Sequence, residues 1–349
     1  GGVFNGLGPY KAAMHLLHTL AQRNPDIWRF RTTLDAAMQA RATEIVSQHG
    51  DALRRSGASH AAAVVLDVRT GATLAYVGNL PPRDPVGSGD LVDIIRAPRS
   101  TGSLLKPLLY AAMLDAGELL PDQLVADIPT RIGGYVPLNH THVFSGAVPA
   151  SEALARSLNV PAARLLRDHG VPRFYGLLKD VGFTGLNRTA SEYGIPLILG
   201  GAESTLWELT GVYASMGRTV LARDHDARTF FPPHALAEHA PQALAEHAPQ
   251  ALAEHAPQAR RPPFSPASLF LTLKALNEVE RPELLSGWRS FAGAAAISWK
   301  TGTSYGLRDA WAIGVNETHA VGVWAGNASG AGAPGLRGTR SAGPIIDRK

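Results

Sequence analysis

The sequence predicts an α/β domain of the α+β type, with an antiparallel β-sheet whose strands come from both ends of the chain and a helical block inserted between them. Short apolar segments separated by turn residues occur at 61–77 and again at 294–324, as expected for strands of one sheet. Between residues 102 and 218 the apolar residues recur instead at helical spacing. Strands, then helices, then strands is the order that predicts this fold class.

Residues 1–57 are predicted to form a helical linker or pedestal segment ahead of the main domain, which is assigned to residues 58–349. Asp35 is suited to cap the helix that follows it, because the next residues keep a helical period. From residue 61 the pattern changes to Ala-Ala-Ala-Val-Val-Leu-Asp-Val, a turn at Arg69-Thr70-Gly71, and a second apolar segment. This pattern predicts a β-hairpin.

The helical block is predicted to form a subdomain at about residues 104–218. Two of its helices are expected on either side of a break at Asn159-Val160-Pro161, because proline suits a first helical position and disfavours helix at the residue before it. Strands are predicted again at 294–300, 309–315 and 319–324, separated by Gly-rich and Asn-rich turns.

Composition excludes several functional classes. The chain has 349 residues and is 45% hydrophobic, which is enough for one large domain or two modest ones. Its net charge of +4 is spread along the sequence, so no nucleic-acid partner is predicted. Cysteine is absent, which excludes a thiolate nucleophile, a disulfide framework and cysteine-ligated zinc. No cofactor and no metal site are predicted.

The sequence as given contains no stretch of eighteen apolar residues and no signal-peptide pattern. It starts without Met and ends at Arg348-Lys349, as a segment of a longer protein would. Any membrane anchor is therefore expected outside the sequence given.

An octapeptide, Ala-Leu-Ala-Glu-His-Ala-Pro-Gln, occurs three times in succession at residues 235–258. A proline in each copy prevents a continuous helix, and three copies of this length are too short for a solenoid. The segment is predicted to be a surface insert. Its histidines His239, His247 and His255 could bind a metal, but nothing in the pattern brings them to a common face, so a solvated insert is the interpretation adopted.

Ser103 and Lys106 form the first candidate catalytic motif, Ser-x-x-Lys. Ser103 follows Gly102 at a predicted helix start, where its backbone N–H has no helical acceptor. Lys106 is expected on the same helix face, with its amine in reach of the Ser103 hydroxyl. A neutral lysine would act as base for a serine nucleophile, and burial or a second cation such as Lys300 would favour the neutral form. A helix N-cap and a solvated lysine are the alternative interpretation. The apolar face of this helix comprises Leu104, Leu105, Leu108 and Leu109.

Ser157 and Asn159 form the second motif, Ser-x-Asn, at the predicted break between two helices. In a catalytic role, Ser157 would carry a proton to the leaving amine and Asn159 would hydrogen-bond a substrate amide. Asn159 would also serve as an ordinary cap for a helix starting at Pro161.

Lys300, Thr301, Gly302 and Thr303 form the third motif, directly after a short apolar strand. Glycine weakens a strand unless another backbone must come close, as a substrate laid alongside would. The lysine and the two threonines would then offer a cation and hydroxyls to a substrate carboxylate. The backbone N–H groups of Ser103 and Thr303 are the candidate oxyanion donors. A strand and turn without function is the alternative.

The three motifs occur in this order over about two hundred residues, and together they resemble the transpeptidase domain of class A, bifunctional penicillin-binding proteins. The likeness runs from about Thr32 to the C-terminus. Besides the motifs it includes Thr33-Leu34-Asp35, Arg99-Ser100-Thr101-Gly102, Glu152-Ala153-Leu154, Leu199-Gly200-Gly201-Ala202 and Arg308-Asp309-Ala310-Trp311-Ala312-Ile313-Gly314.

The resemblance implies a fold like that of penicillin-binding transpeptidases and serine β-lactamases, with a five-stranded sheet flanked by helices and an all-helical subdomain. It implies that Ser103 attacks the penultimate D-Ala carbonyl of a peptidoglycan stem peptide, releases D-Ala and passes the acyl group to an amine of a neighbouring strand. β-Lactam antibiotics would be a second class of ligand. The full-length protein would be anchored in the inner membrane, with this domain on the periplasmic side and a glycosyltransferase domain that the given sequence lacks.

Other functions remain open at this point. A D,D-carboxypeptidase or a β-lactamase of the same fold would use the same motifs, and a non-catalytic β-lactam-binding sensor or scaffold would be acylated slowly. The pedestal segment favours the transpeptidase, because a small hydrolytic β-lactamase would not need it. Glu152 is the only carboxylate close in sequence to Ser157, and it lies in the first turn of a predicted helix. No base for hydrolysing an acyl-enzyme is therefore predicted.

Overall fold

The structure, a computed structural model, describes residues 13–26, 29–81, 89–223, 227–236, 259–278 and 297–346. Its strands are β1 (His60–Asp67), β2 (Thr73–Val77), β3 (Arg99–Ser100), β4 (Leu124–Asp127), β5 (Gly146–Pro149), β6 (Glu203–Ser204), β7 (Ser298–Thr303), β8 (Asp309–Val315) and β9 (His319–Gly326). Five of these form one antiparallel sheet in the order β2-β1-β9-β8-β7. The predicted five-stranded antiparallel sheet is confirmed.

The two ends of the chain meet at the centre of this sheet. β1 pairs with β9 along its whole length, from His60 opposite Gly326 to Asp67 opposite His319. The hairpin of β1 and β2 is confirmed, with an irregularity in register between Val65 and Leu66. The predicted strand at 294–300 begins at Ser298 and runs on through the Lys-Thr-Gly motif, while 294–296 lie outside the described residues.

Helices cover both faces of the sheet and form the block inserted between its strands. They are α1 (Met14–Arg23), α2 (Ala36–Arg55), α3 (Lys106–Asp115), α4 (Ala150–Ala155), α5 (Asn159–His169), α6 (Val171–Val181), α7 (Ala190–Tyr193), α8 (Leu206–Leu221), α9 (Pro266–Asn277) and α10 (Gly343–Ile346). α8 packs close to Gly322 of β9, whereas α10 packs close to Gly314 on the opposite face. Both faces of the central strands are buried in consequence, so every residue of β8 is inaccessible to solvent.

The pedestal segment is packed against the sheet. Asp35 caps α2 as predicted, accepting a hydrogen bond of 2.7 Å from the backbone N–H of Met38. The side chain of Gln39 accepts from the N–H of Tyr76 (2.7 Å) and donates to its carbonyl (3.2 Å), which satisfies the outer edge of β2. The segment and the sheet therefore share one hydrophobic core, and the domain division at residue 57 stays a prediction.

Two helix starts differ from those predicted. α3 begins at Lys106, so Ser103 lies in the preceding turn and not in the helix. α5 begins at Asn159, so Pro161 is its third residue and Asn159 is not its cap. The cap is supplied from a distant loop, because the side-chain oxygen of Asn139 accepts from the N–H groups of Asn159 (2.9 Å) and Val160 (3.2 Å).

The predicted surface insert begins inside the fold. Ala235 and Leu236, the first residues of the octapeptide repeat, are buried, and the carbonyl of Ala235 accepts from the N–H of Thr33 (2.9 Å). The remainder of the repeat, with His239, His247 and His255, lies outside the described residues. Within the described part, no helix is long and apolar enough to cross a membrane.

Candidate active site

Ser103 lies in a tight turn between β3 and α3. The turn is fixed by hydrogen bonds from the N–H of Leu104 to the carbonyl of Thr101 (3.1 Å) and from the N–H of Lys106 to the carbonyl of Ser103 (3.3 Å). The predicted apolar face beneath it, at Leu104, Leu105, Leu108 and Leu109, is fully buried. Ser103 itself is half-buried, and neither its hydroxyl nor its backbone N–H forms a hydrogen bond to any residue the structure describes. Both groups are thus available to a ligand.

Two glycines bring this turn against β7. Gly102 has a φ of +53°, and a Cβ atom there would lie 2.9 Å from the backbone nitrogen of Thr303. A Cβ atom at Gly302 would lie 3.1 Å from both the side chain of Leu104 and the carbonyl of Thr101. Only glycine allows so close an approach of two backbones. The Ser103 turn and the edge strand are therefore in direct contact.

The contact directs a second N–H group toward Ser103. Ser304 donates its N–H to the carbonyl of Asp309 (3.0 Å), so these two residues face each other as a hydrogen-bonded pair. In an antiparallel ladder such pairs alternate along the strand, and the intervening residue Thr303 directs its N–H and carbonyl away from β8. β7 is the edge of the sheet, so these groups point to the side where the turn lies. This orientation leaves the Thr303 N–H, like that of Ser103, as a candidate oxyanion donor.

We expect Gly102→Ala to destabilise the protein more than Gly117→Ala does. Both glycines have positive φ, which costs an L-residue about 1–2 kcal/mol. Only at Gly102 would the new Cβ also collide with backbone, whereas nothing lies within 4 Å at Gly117. A thermal melt should show a loss for Gly102→Ala at least twice that of Gly117→Ala. Equal losses would mean that the turn does not press on β7 as described.

Lys106 is buried in the cleft between α3 and the start of α5. Its Nζ atom donates to the carbonyl of Ser157 (2.7 Å), the carbonyl of Leu158 (3.2 Å) and the side-chain oxygen of Asn159 (2.7 Å). Burial, and then the nearby charge of Lys300, hold the pKa of Lys106 well below its usual value.

The expected hydrogen bond from Lys106 to Ser103 is absent. Because Ser103 precedes the helix, the two side chains do not share a helix face, and the Lys106 amine has three oxygen acceptors in the 157–159 segment instead. Catalytic hydrogen bonds are often formed only when substrate is bound. Lys106 therefore remains the candidate base for Ser103.

Ser157 is held in an uncommon backbone conformation between the two lysines. Its φ of +58° is rare for a residue with a side chain. In this conformation its carbonyl accepts from Lys106, while its hydroxyl accepts from the Nζ of Lys300 (2.7 Å) and lies 3.5 Å from the Nζ of Lys106. The strain is thus compensated by contacts to both amines.

Lys300 is almost completely buried at the centre of β7. Besides Ser157, its Nζ atom donates to the carbonyl of Thr301 (2.7 Å). Burial lowers the pKa of Lys300 to about 7. No carboxylate among the described residues is hydrogen-bonded to either lysine, and their charge is not neutralised by an acid.

The remaining motif residues line the open side of β7. Thr301 and Thr303 are half-buried, and the Thr303 hydroxyl accepts from the N–H of Gly338 (3.1 Å). Asn159 is in place beside Lys106, but its side-chain oxygen is used by that lysine and its amide donates to the carbonyl of Leu138 (2.9 Å). The structure thus brings every predicted site residue to one cleft, with Asn159 already bonded within it.

Residues outside the motifs also meet at this cleft. His140 and Arg337 are hydrogen-bonded to each other across it, joining the loop before β5 to the segment beside Thr303. Asn139 caps α5 beneath Asn159, as described above. No sequence motif marks these residues, because their roles depend on contacts between segments far apart in the chain.

No carboxylate of the described residues is hydrogen-bonded to Ser103. Glu152, the one carboxylate that the sequence places near Ser157, is about half exposed and paired with Arg156 (2.8 Å) in the first turn of α4. Within the described residues, no group of histidines and acids could hold a metal ion.

Residues 61–217 match the penicillin-binding protein transpeptidase domain. Penicillin-binding protein 1C of Escherichia coli K12 is 32% identical over 320 residues, which are 92% of this chain and 38% of that protein. The chain thus spans well under half the length of this relative.

Two solved structures share the fold. PonA1 of Mycobacterium tuberculosis superposes with a TM-score of 0.71 at 21% identity, covering 96% of this chain and 90% of the other. A second structure of PonA1, in complex with penicillin V, gives a TM-score of 0.70 at 20% identity, covering 97% and 89%. At this identity the likeness establishes the shared fold of sheet and inserted helical block.

Proposed function

Because the chain belongs to the family of penicillin-binding protein transpeptidase domains, as its motifs predicted, with penicillin-binding protein 1C among its relatives, we propose that it is a serine D,D-transpeptidase. Its substrates would be the stem peptides of peptidoglycan, cross-linked through an acyl-enzyme. The observation that supports this most directly is the pair of buried lysines, Lys106 and Lys300, whose amines approach the hydroxyl of Ser157 at 3.5 Å and 2.7 Å. This set lies beside Ser103, whose hydroxyl has no partner among the described residues.

In the acylation step, the Ser103 oxygen attacks the penultimate D-Ala carbonyl and loses its proton to the neutral amine of Lys106. Desolvation, and then the charge of Lys300, lower the pKa of Lys106 and so favour that neutral form. The developing oxyanion is met by the N–H groups of Ser103 and Thr303. The carbon–nitrogen bond to the terminal D-Ala then breaks, and Ser157 passes a proton to the leaving amine, with Lys106 and Lys300 as its hydrogen-bond partners.

In the second step, an amine of a neighbouring strand attacks the ester carbonyl. The carbon–oxygen bond to Ser103 breaks, the new amide forms, and the proton of the amine returns to the serine by way of the same lysine. The cycle is balanced, since one D-Ala leaves and one amide replaces another. No cofactor is needed for either step.

The open edge of β7 is the proposed substrate platform. An extended stem peptide can lie alongside the edge and hydrogen-bond the outward N–H and carbonyl of Thr303. The hydroxyls of Thr301 and Thr303 would take the terminal carboxylate, and the charge of Lys300 would act from beneath, since its amine is buried. Asn159 would hydrogen-bond the substrate amide. To do so it would give up either its bond to Lys106 or its bond to the carbonyl of Leu138.

One related structure is PonA1 in complex with penicillin V. We propose that β-lactams bind this chain too, and that they acylate Ser103. We expect a fluorescent penicillin to label the protein once per chain and the label to persist for hours after free drug is removed. The reason is that hydrolysis needs a base for water, a duty that a glutamate performs in class A β-lactamases. Here no carboxylate of the described residues contacts Ser103, Lys106 or Lys300.

The same experiment separates the alternatives. Loss of label within seconds would identify a β-lactamase and contradict the transpeptidase. Incubation of the protein with a stem pentapeptide and an amine acceptor should release D-Ala and form the cross-linked amide. Release of D-Ala with only the hydrolysed tetrapeptide would identify a D,D-carboxypeptidase, and stable label without any D-Ala release would identify a sensor.

The proposed function also implies a location outside the cytoplasm. Peptidoglycan is cross-linked outside the cytoplasm, so we place the domain on the periplasmic face of the inner membrane. In the full-length protein we expect a membrane anchor and a glycosyltransferase domain, as the resemblance to class A penicillin-binding proteins implies.

A further inference from the structure

Asp127 is a buried carboxylate outside the proposed catalytic set. It ends β4 and has no surface exposed to solvent. One of its oxygens accepts from the side-chain amide of Asn139 (2.7 Å), and the other accepts from the N–H of Ser145 (2.8 Å). Burying a carboxylate is costly unless its oxygens are bonded, so a specific function is expected of an acid kept here.

The carboxylate determines which way the Asn139 amide faces. An ionised carboxylate only accepts hydrogen bonds, so Asn139 must present its NH₂ group to Asp127 and its oxygen to the opposite side. The NH₂ group also donates to the carbonyl of Val143 (2.9 Å), which strengthens the same orientation. On the opposite side the oxygen accepts from the first two N–H groups of α5.

The start of α5 is the segment that holds Lys106. Asn159, the first residue of the helix, accepts from the Lys106 amine through its side-chain oxygen, and the carbonyls of Ser157 and Leu158 directly before it accept from the same amine. Any rotation of this segment would change all three contacts together. Hydrogen bonds therefore connect β4 to the proposed base, from Asp127 to the Asn139 side chain, from there to the backbone of Asn159, and from the Asn159 side chain to Lys106.

We propose that Asp127 and Asn139 are positioning residues for the reaction, which hold the 157–159 segment so that the amine of Lys106 and the hydroxyl of Ser157 stay aligned on Ser103. The inference rests on the proposed function. Neither residue touches the reacting atoms, and both act through Asn159.

Asp127→Asn tests this without changing size. The asparagine offers one acceptor where two donors, Ser145 N–H and the Asn139 amide, must be met. Either Ser145 loses its bond or Asn139 turns its NH₂ group against the N–H groups of α5. The limiting rate constant of acylation at saturating fluorescent penicillin should fall about 10-fold, as for a small misplacement of catalytic groups. The half-saturating concentration should change less than about two-fold, because the β7 platform is unaltered.

The matched control is Asp93→Asn. Asp93 is also a carboxylate bonded by several donors, Thr19, Tyr76 and the N–H of Ile95, but it lies on the pedestal side of the sheet. This variant should lose thermal stability and keep the wild-type acylation rate constant. A rate constant is read from the time course, so it is independent of how much protein is folded.

Rescue provides a second readout that a structural role would not produce. In the double variant Asp127→Asn with Asn139→Asp, the amide of residue 127 can donate to the carboxylate of residue 139, which in turn accepts from α5, while only the bond to the Val143 carbonyl is lost. Acylation should return to within about three-fold of wild type, although each single variant is slow.

The acylation rate constants of these variants support or overturn the inference. If wild-type protein is labelled and Asp127→Asn matches its rate constant, or if Asp93→Asn is slowed equally, the inference is wrong while the proposed function stands. A double variant slower than both single variants would also overturn it. If wild-type protein takes no label, the proposed function fails and the inference fails with it.

Discussion

Ser103→Ala is expected to lose all covalent labelling by penicillin while remaining folded. The hydroxyl is the proposed nucleophile, and no other group can form the ester in its place. The side chain is half-buried and makes no hydrogen bond to the described residues, so its removal should change the free energy of unfolding by less than about 0.5 kcal/mol. The measurement is labelling with fluorescent penicillin, alongside a thermal melt of each protein.

The matched control for this variant is Ser100→Ala. Ser100 lies three residues earlier. Its hydroxyl donates to the carbonyl of Gly200 (2.7 Å), so this hydroxyl is engaged in a structural hydrogen bond. This variant should still take one label per chain. Full labelling of Ser103→Ala would show that another residue is the nucleophile.

Lys106→Ala is expected to slow acylation by roughly 10²-fold or more for every substrate, as loss of a general base does. Lys300→Ala should slow acylation most for ligands that carry a carboxylate, because its charge lies beneath the proposed carboxylate site. A carboxylate-free thioester separates the two roles. Equal losses for the two variants on that substrate would contradict the division.

The pH dependence adds a test of how the lysines interact. Lys106 must be neutral to act as base, so the acylation rate rises with pH through its pKa. The cationic form of Lys300, present below its pKa of about 7, lowers the pKa of Lys106. Replacing Lys300 with methionine removes that charge and raises the pKa of Lys106. The acid limb of the rate profile on the thioester should therefore move to higher pH, and a shift to lower pH would contradict the account.

The fold was largely predictable because it depends on patterns that are local in the chain. Short apolar segments bounded by turn residues located β1, β2, β8 and β9, and the order of strands and helices predicted how the ends of the chain meet. The cap at Asp35 was found because capping involves only neighbouring residues. The three motifs located the site for the same reason.

Contacts between distant segments were not predictable in this way. The sequence placed the start of α5 at Pro161, but the helix begins at Asn159, because its cap comes from Asn139, twenty residues away in sequence. Lys106 was expected to face Ser103 on the assumption that both were helical, but the helix begins at Lys106, three residues after Ser103. The burial of Asp127 and the contact between His140 and Arg337 follow from tertiary packing alone.

The most direct test of the central claim is peptide mapping of the wild-type protein after reaction with penicillin. Trypsin should separate Ser103, in the peptide 100–131, from Ser157, in the peptide 157–164, since Lys106 is followed by proline and is not cleaved. We expect a single penicilloyl adduct, carried by the peptide 100–131 and located by fragmentation to Ser103. An adduct on Ser157 or on any other residue, or no adduct at all, would contradict the account.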